Sequence, residues 1–201
     1  MRLGTFYQNN ENYMNNGNNE IRVQPLNPKG DHRQLLCYQK AEVVYDLTYY
    51  FANKYFSKAD RTLDQMVQAA RSCKQNIVEG NAAMHTSSET GIKLLNVAKA
   101  SLQELLADYE DYLRVRNYTR WDVSSEEVEA MQRLGRTHQS SAFFLDLASS
   151  RSDVVVANMI IVLIHQADAL LYKFMQSHYQ QYLQEGGFRE KLARERKKHR
   201  Q

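Results

Sequence analysis

From about residue 32 onward, apolar and polar positions alternate with the three-and-four spacing of α-helices that bury one face. Leu36, Val43, Leu47, Tyr50 and Phe51 form one stripe with Lys40, Asp46 and Asn53 turned outward, which predicts a first helix from His32 to about Phe56. Leu63, Met66, Ala70, Cys73 and Ile77 form a second stripe, ending near Met84. Ile92, Leu95, Ala98, Leu102, Leu105, Tyr109 and Tyr112 form a third, reaching Asn117. The last long helix runs from Asp153 to about Gln184 and stops at Gly186-Gly187. Start signals fit these spans: Asp60 before the second helix, Thr86 with Glu89 three residues on as a capping box, and Ser152 before the last. Gly80 weakens the end of the second helix unless close packing there excludes a side chain.

Four long helices with short connections predict an all-α fold, an antiparallel up-down-up-down four-helix bundle. The stretch 118–150 is an insertion. Tyr118 to Val123 breaks the pattern, with Trp121 closing one end of the bundle. A short helix follows from Glu126 to about Gln139, capped by Ser124 or Ser125, and residues 140–150 read as a loop or a turn of helix. Residues 1–31 hold eight Asn, several Gly and both prolines without any period, a polar arm. The chain thus divides into an arm (1–31), a bundle (32–186) and a basic tail (187–201).

The last helix departs from this scheme. Its first half, Val154 to Ile164, is apolar on every side, whereas an edge helix of a bundle shows one wet face. The surplus surface implies a homo-oligomer with Val154, Val155, Met159, Ile160 and Leu163 at its interface; the alternative is coverage by residues 126–150. The run is too short and too interrupted, at Asn158, to cross a bilayer, so no membrane partner is expected.

Composition adds limits. Two prolines in 201 residues suit long helices, and 43% apolar residues suit one domain with a sizeable core. The only cysteines, Cys37 and Cys73, lie in helical patterns and read as small buried hydrophobes. With no apolar leader and no disulfide framework, a cytoplasmic location is the default. The net charge is +3, yet residues 187–201 carry seven Lys/Arg against two Glu, a net +5, so the remainder carries −2.

That concentration makes the tail, Arg189, Lys191, Arg194, Arg196, Lys197, Lys198 and Arg200, the candidate surface for a polyanion. Arg114, Arg116 and Arg120 extend it in this reading, with Tyr118, Tyr179 and Tyr182 placed to stack on unpaired bases. Catalytic signals are weak. Glu79 and Glu104 would have to face each other across two helices, and the Glu-x-x-His repeat of di-iron bundles does not occur. His165 and Asp168 read as a buried pair. Asn76, Glu79, Ser101 and Glu104, with Arg71 as charge partner, read as a buried polar network that fixes helix register, in which loss of either carboxylate would strand the guanidinium at about 3–5 kcal/mol. No catalytic residue, metal or cofactor is expected.

Three motifs in register carry a family resemblance: Tyr38-Gln39-Lys40-Ala41, then Gln68-Ala69-Ala70-Arg71-Ser72 leading to Asn76-Ile77-Val78-Glu79-Gly80, then Ala98-Lys99-Ala100-Ser101-Leu102-Gln103-Glu104-Leu105. With them the chain resembles the four-helix-bundle family of 23S rRNA intervening-sequence proteins, which includes the accessory variability determinant of diversity-generating retroelements. The resemblance implies a ring of subunits, commonly a pentamer. In its retroelement branch it implies an accessory that binds nucleic acid and a reverse transcriptase. The arm, the insertion and the tail are additions to that pattern. The expectation is a non-enzymatic oligomeric scaffold that binds RNA or DNA, possession of a reverse-transcriptase partner included; the alternative is a protein-interaction ring with no nucleic-acid role.

Overall fold

The structure is a computed structural model that describes residues 31–57, 59–185, 193, 194 and 196–198. Among residues 31–185, a 3-10 turn at His32–Gln34 is followed by the helices α1 (Leu36–Tyr55), α2 (Arg61–Ala83), α3 (Ser88–Val115), α4 (Glu126–Thr137), α5 (Ser141–Ser149) and α6 (Asp153–Glu185). No strand occurs among the described residues. The fold is an all-helical bundle.

Side-chain contacts fix how the long helices run. Along α1 and α6, Tyr55 Oη donates to Arg151 O just ahead of α6, and Lys40 reaches Gly135, whose α-carbon abuts Gln166. Equal steps in opposite directions along the two helices make them antiparallel. Tyr112 Oη donates to Asp153 Oδ2 at 2.9 Å and Lys99 pairs with Asp168 at 3.5 Å, so α3 and α6 also run antiparallel. The Ser72–Ser101 contact and the Gly80–Gly91 approach do the same for α2 and α3. With α1 packed on α2, the four helices enclose a common interior filled by Leu47, Phe51, Met66, Ile77, Leu102, Tyr109 and Ile160.

Helix ends follow from local chemistry. Asp60 Oδ1 accepts from Thr62 N and caps α2 as the sequence predicts. For α3 the cap moves by one residue: Ser87 Oγ accepts from Thr90 N, while Thr86 turns back to Ala83 O and Glu89 pairs with Lys93. The other end of α3 stops in a left-handed residue, Asn117 (φ 55°), with Tyr118 N donating to Leu113 O and Asn117 N to Arg114 O. That pairing satisfies carbonyls the last turn leaves open. At the α2–α3 turn, Gly80 and Gly91 touch: a Cβ on Gly91 would lie 2.9 Å from Gly80 O and 2.6 Å from Met84 Sδ. Close packing therefore accounts for Gly80.

Four expectations are corrected here. Residues 141–149 form a helix, α5, which packs on α1. Leu36, the first residue of α1, is 54% exposed, and the preceding Leu35 packs against the core instead. Lys40 faces inward and is 1% exposed. Most consequential, the apolar half of α6 is covered by its own chain: Met159, Ile160 and Leu163 are buried by α1, α3 and α4, while Val154 and Val155 are half-buried against the core. Met159, Ile160 and Leu163 are therefore not free to form an interface, and α4 packs on α6 in keeping with the alternative of coverage by residues 126–150. α6 is also the one described helix long and apolar enough to cross a membrane, and most of its apolar stretch lies inside the bundle.

Candidate functional site

The candidate basic residues fall into two groups along the chain. Arg194, Arg196, Lys197 and Lys198 are exposed on helical segments past the end of α6; Arg189, Lys191 and Arg200 lie outside the described residues. Arg114 and Arg116 sit at the C-terminal end of α3, level with the start of α6. The 33 residues of α6 span about 50 Å, so Arg114 and Arg116 lie about that far from the C-terminal end of α6. The arginines at the α3 end are also engaged. Arg114 pairs with Asp111 at 2.7 Å, Arg116 lies 3.9 Å over the Tyr112 ring, and Arg120 pairs with Glu110. Of the stacking tyrosines, Tyr118 lies with that group, whereas Tyr179 and Tyr182 stand exposed on α6 toward the tail.

The expected charged network is replaced by a neutral one. Arg71, Glu79 and Glu104 are exposed. Ser72 Oγ meets Ser101 Oγ at 2.9 Å, and Asn76 Nδ2 donates to Ser72 O at 2.9 Å. Apolar side chains on the α2–α3 seam leave room there for small hydroxyls but none for a desolvated carboxylate. In the antiparallel register, Glu79 and Glu104 are also offset by roughly 16 Å along the helix axes, which removes them as an acid–base pair. His165 is exposed, and Asp168 turns to Lys99, so the two do not form a buried pair. No cluster of three His, Cys, Asp or Glu side chains with metal-holding geometry occurs among the described residues.

Sequence reasoning missed the part of the molecule with the most developed polar architecture, the joint of α1, α4 and α6. Ser125 caps α4 through Val128 N, as expected, and Glu126, Glu127 and Glu129 complement the positive end of its dipole. At its C-terminus the orphan carbonyls meet a buried cation: Lys40 Nζ donates to Gly135 O (2.6 Å) and His138 O (3.1 Å), 5.3 Å from the centre of the Phe144 ring. Burial lowers the Lys40 pKa to about 8. A Cβ on Gly135 would fall 1.9 Å from Gln166 Oε1, so glycine lets α4 lie against α6. Gln166 Nε2 in turn donates to Gln132 O at 2.9 Å.

Beside this joint, the 118–125 segment is laced to α6. Buried Asn158 accepts from Trp121 N at 2.8 Å and donates to Thr119 O and Val154 O. Trp121 therefore lies on the flank of α6, more than a turn inside its start, and does not close the bundle end. Between this segment, α4 and α6 opens a cleft of about 500 Å³. Val128, Ile161 and Val162 line its floor, Trp121 one wall, and Arg120, Arg136 and His165 its polar side. A second depression of about 650 Å³ lies between Tyr45, Tyr49 and Tyr50 of α1 and Leu145 of α5, with Lys54 at its rim. The Lys40 position was legible: it falls on the stripe of Cys37, Ala41 and Val44. The cleft was not, since its walls lie some forty positions apart in the chain.

Cys37 and Cys73 are buried and unpaired, and burial raises their thiol pKa values to about 11 and about 12, as expected of structural residues. Comparison with protein-family models, curated proteins and solved structures finds no match to this chain.

Proposed function

We propose that the chain is a non-enzymatic helical scaffold that assembles with further copies of itself and engages RNA or DNA without sequence readout, as an accessory to a nucleic-acid enzyme such as a reverse transcriptase. The observation that carries this reading is the exposed basic segment beyond α6, with Arg194, Arg196, Lys197 and Lys198 helical and open to solvent. Cations at such spacing contact phosphates and release counterions, which gives salt-sensitive, sequence-independent affinity. Assembly draws on the far half of α6, where Tyr179, Tyr182 and Leu183 are exposed, instead of the half buried inside the chain. Ring formation by five copies would multiply a +5 tail into one polyvalent surface.

The test is titration of labelled single-stranded RNA and duplex DNA at 50 and 200 mM salt, with the full chain and with a chain ending at residue 186. Four phosphate contacts alone weaken duplex binding about a hundredfold over that salt range. Expected is low-salt binding with that steep loss, and its disappearance on truncation. Binding untouched by truncation, or none at low salt, overturns the reading. The second outcome selects a scaffold for a partner protein, which the exposed aromatic end of α6 also favours.

A further inference from the structure

We infer that the cleft between the 118–125 segment, α4 and α6 is a binding site for a small planar organic anion, an aromatic carboxylate or sulfonate. Three features of the cleft point to that class. Its volume of about 500 Å³ is in the range that encloses a small ligand. Its floor is apolar, with Val128 and Val162 buried in the core, and the half-buried Trp121 indole offers a flat wall. Such surfaces take an aromatic body, since ring faces stack with offset or edge contacts.

The polar side selects charge. Arg120 is paired with Glu110, and its Nη2 lies 3.3 Å from His165 Nε2. A guanidinium only donates, so His165 Nε2 is the acceptor in that contact. Arg136, exposed on the last turn of α4, has no ion-pair partner among the described residues. Among the described residues the cleft therefore presents one cation without an ion-pair partner at its rim, beside a paired arginine and an imidazole. An anionic headgroup on Arg136, with its ring against Trp121, meets both halves of the site. Trp121 is held for this by the Asn158 contact to its backbone N–H, which fixes the wall without using the indole face.

Because Trp121 is the only tryptophan in the chain, its emission reports this site alone. The probe is 1-anilinonaphthalene-8-sulfonate, with the uncharged N-phenyl-1-naphthylamine as its counterpart of similar shape. Expected is saturable quenching of Trp121 by one equivalent of the sulfonate, with at least tenfold weaker quenching by the neutral compound. Arg136→Gln should lower sulfonate affinity about tenfold and leave the neutral compound unchanged. Ala169→Phe, at an exposed position of the cleft wall, should block both. Absence of quenching overturns the proposal, as do equal affinities for the two probes or sulfonate binding that neither substitution alters. Because both changed side chains are exposed, an unchanged helical spectrum is expected; loss of it with Arg136→Gln also counts against a purely ligand-facing role.

Discussion

Lys40 carries the clearest residue-scale consequence. It is a buried ammonium that caps the end of α4 from another helix, and both carbonyls it serves depend on it. Lys40→Met keeps the aliphatic stem but leaves Gly135 O and His138 O short of a donor, so a loss of about 1–3 kcal/mol is expected in urea unfolding at pH 7. The pH dependence has a definite sign. The folded-state pKa, about 8, lies below the ordinary lysine value of 10.5. Between those values the unfolded chain holds the proton and the folded chain has released it, so stability rises with pH across that window. A neutral amine retains two N–H groups for the two carbonyls. The gap between wild type and Lys40→Met should therefore widen from pH 8 to pH 10. The thiols and phenols of the core pull the other way above pH 9, but they are common to both proteins and cancel in the difference. A gap that narrows would refute the buried-cation assignment. Residue type placed Lys40 outward, because lysine is seldom fully buried, although its position falls on the stripe of Cys37, Ala41 and Val44; only the arrival of α4, 95 positions on, supplies its partners.

At the scale of the element, the α2–α3 hairpin depends on two glycines. Gly91→Ala would set a methyl 2.9 Å from a backbone carbonyl, Gly80 O, which cannot rotate away. Despite the better helix propensity of alanine, the net effect should be a destabilisation of about 1–3 kcal/mol, read as a lower urea midpoint. An unchanged or raised midpoint would show that the helices can part at no cost. The helices themselves were legible in apolar spacing and cap residues, with ends within a few positions. Misreadings cluster where a shorter-range preference was outbid. Ser87, not Thr86, caps α3, and α5 forms because Phe144 and Ala148 bury on the bundle although no long periodic run announces it. Likewise Arg71, Glu79 and Glu104 border the α2–α3 seam in sequence but escape to solvent, leaving Ser72, Asn76 and Ser101 to bond across it.

For the molecule as a whole, the question is whether α6 is core or interface. Ile160 is fully buried within one chain. Ile160→Ala should cost about 2–5 kcal/mol, with an unfolding midpoint shift that is the same at low and high protein concentration. A residue that mattered only between copies would give a shift that depends on concentration, since association stabilises by mass action. Assembly, by contrast, should respond to Leu183→Asp on the exposed end of the same helix, measured as a loss of high-mass species in light scattering without loss of helix.

By itself the sequence determined the helical class, the four long elements, most of their ends, the two buried thiols and the concentration of positive charge beyond α6. These follow from local periodicity, capping chemistry and composition, which act over a few residues. Tertiary structure decided what covers α6, which polar groups are buried, and where the Trp121 cleft opens. Each of these depends on segments remote in the chain meeting at one place, and burial, unlike helix formation, is a property of that meeting.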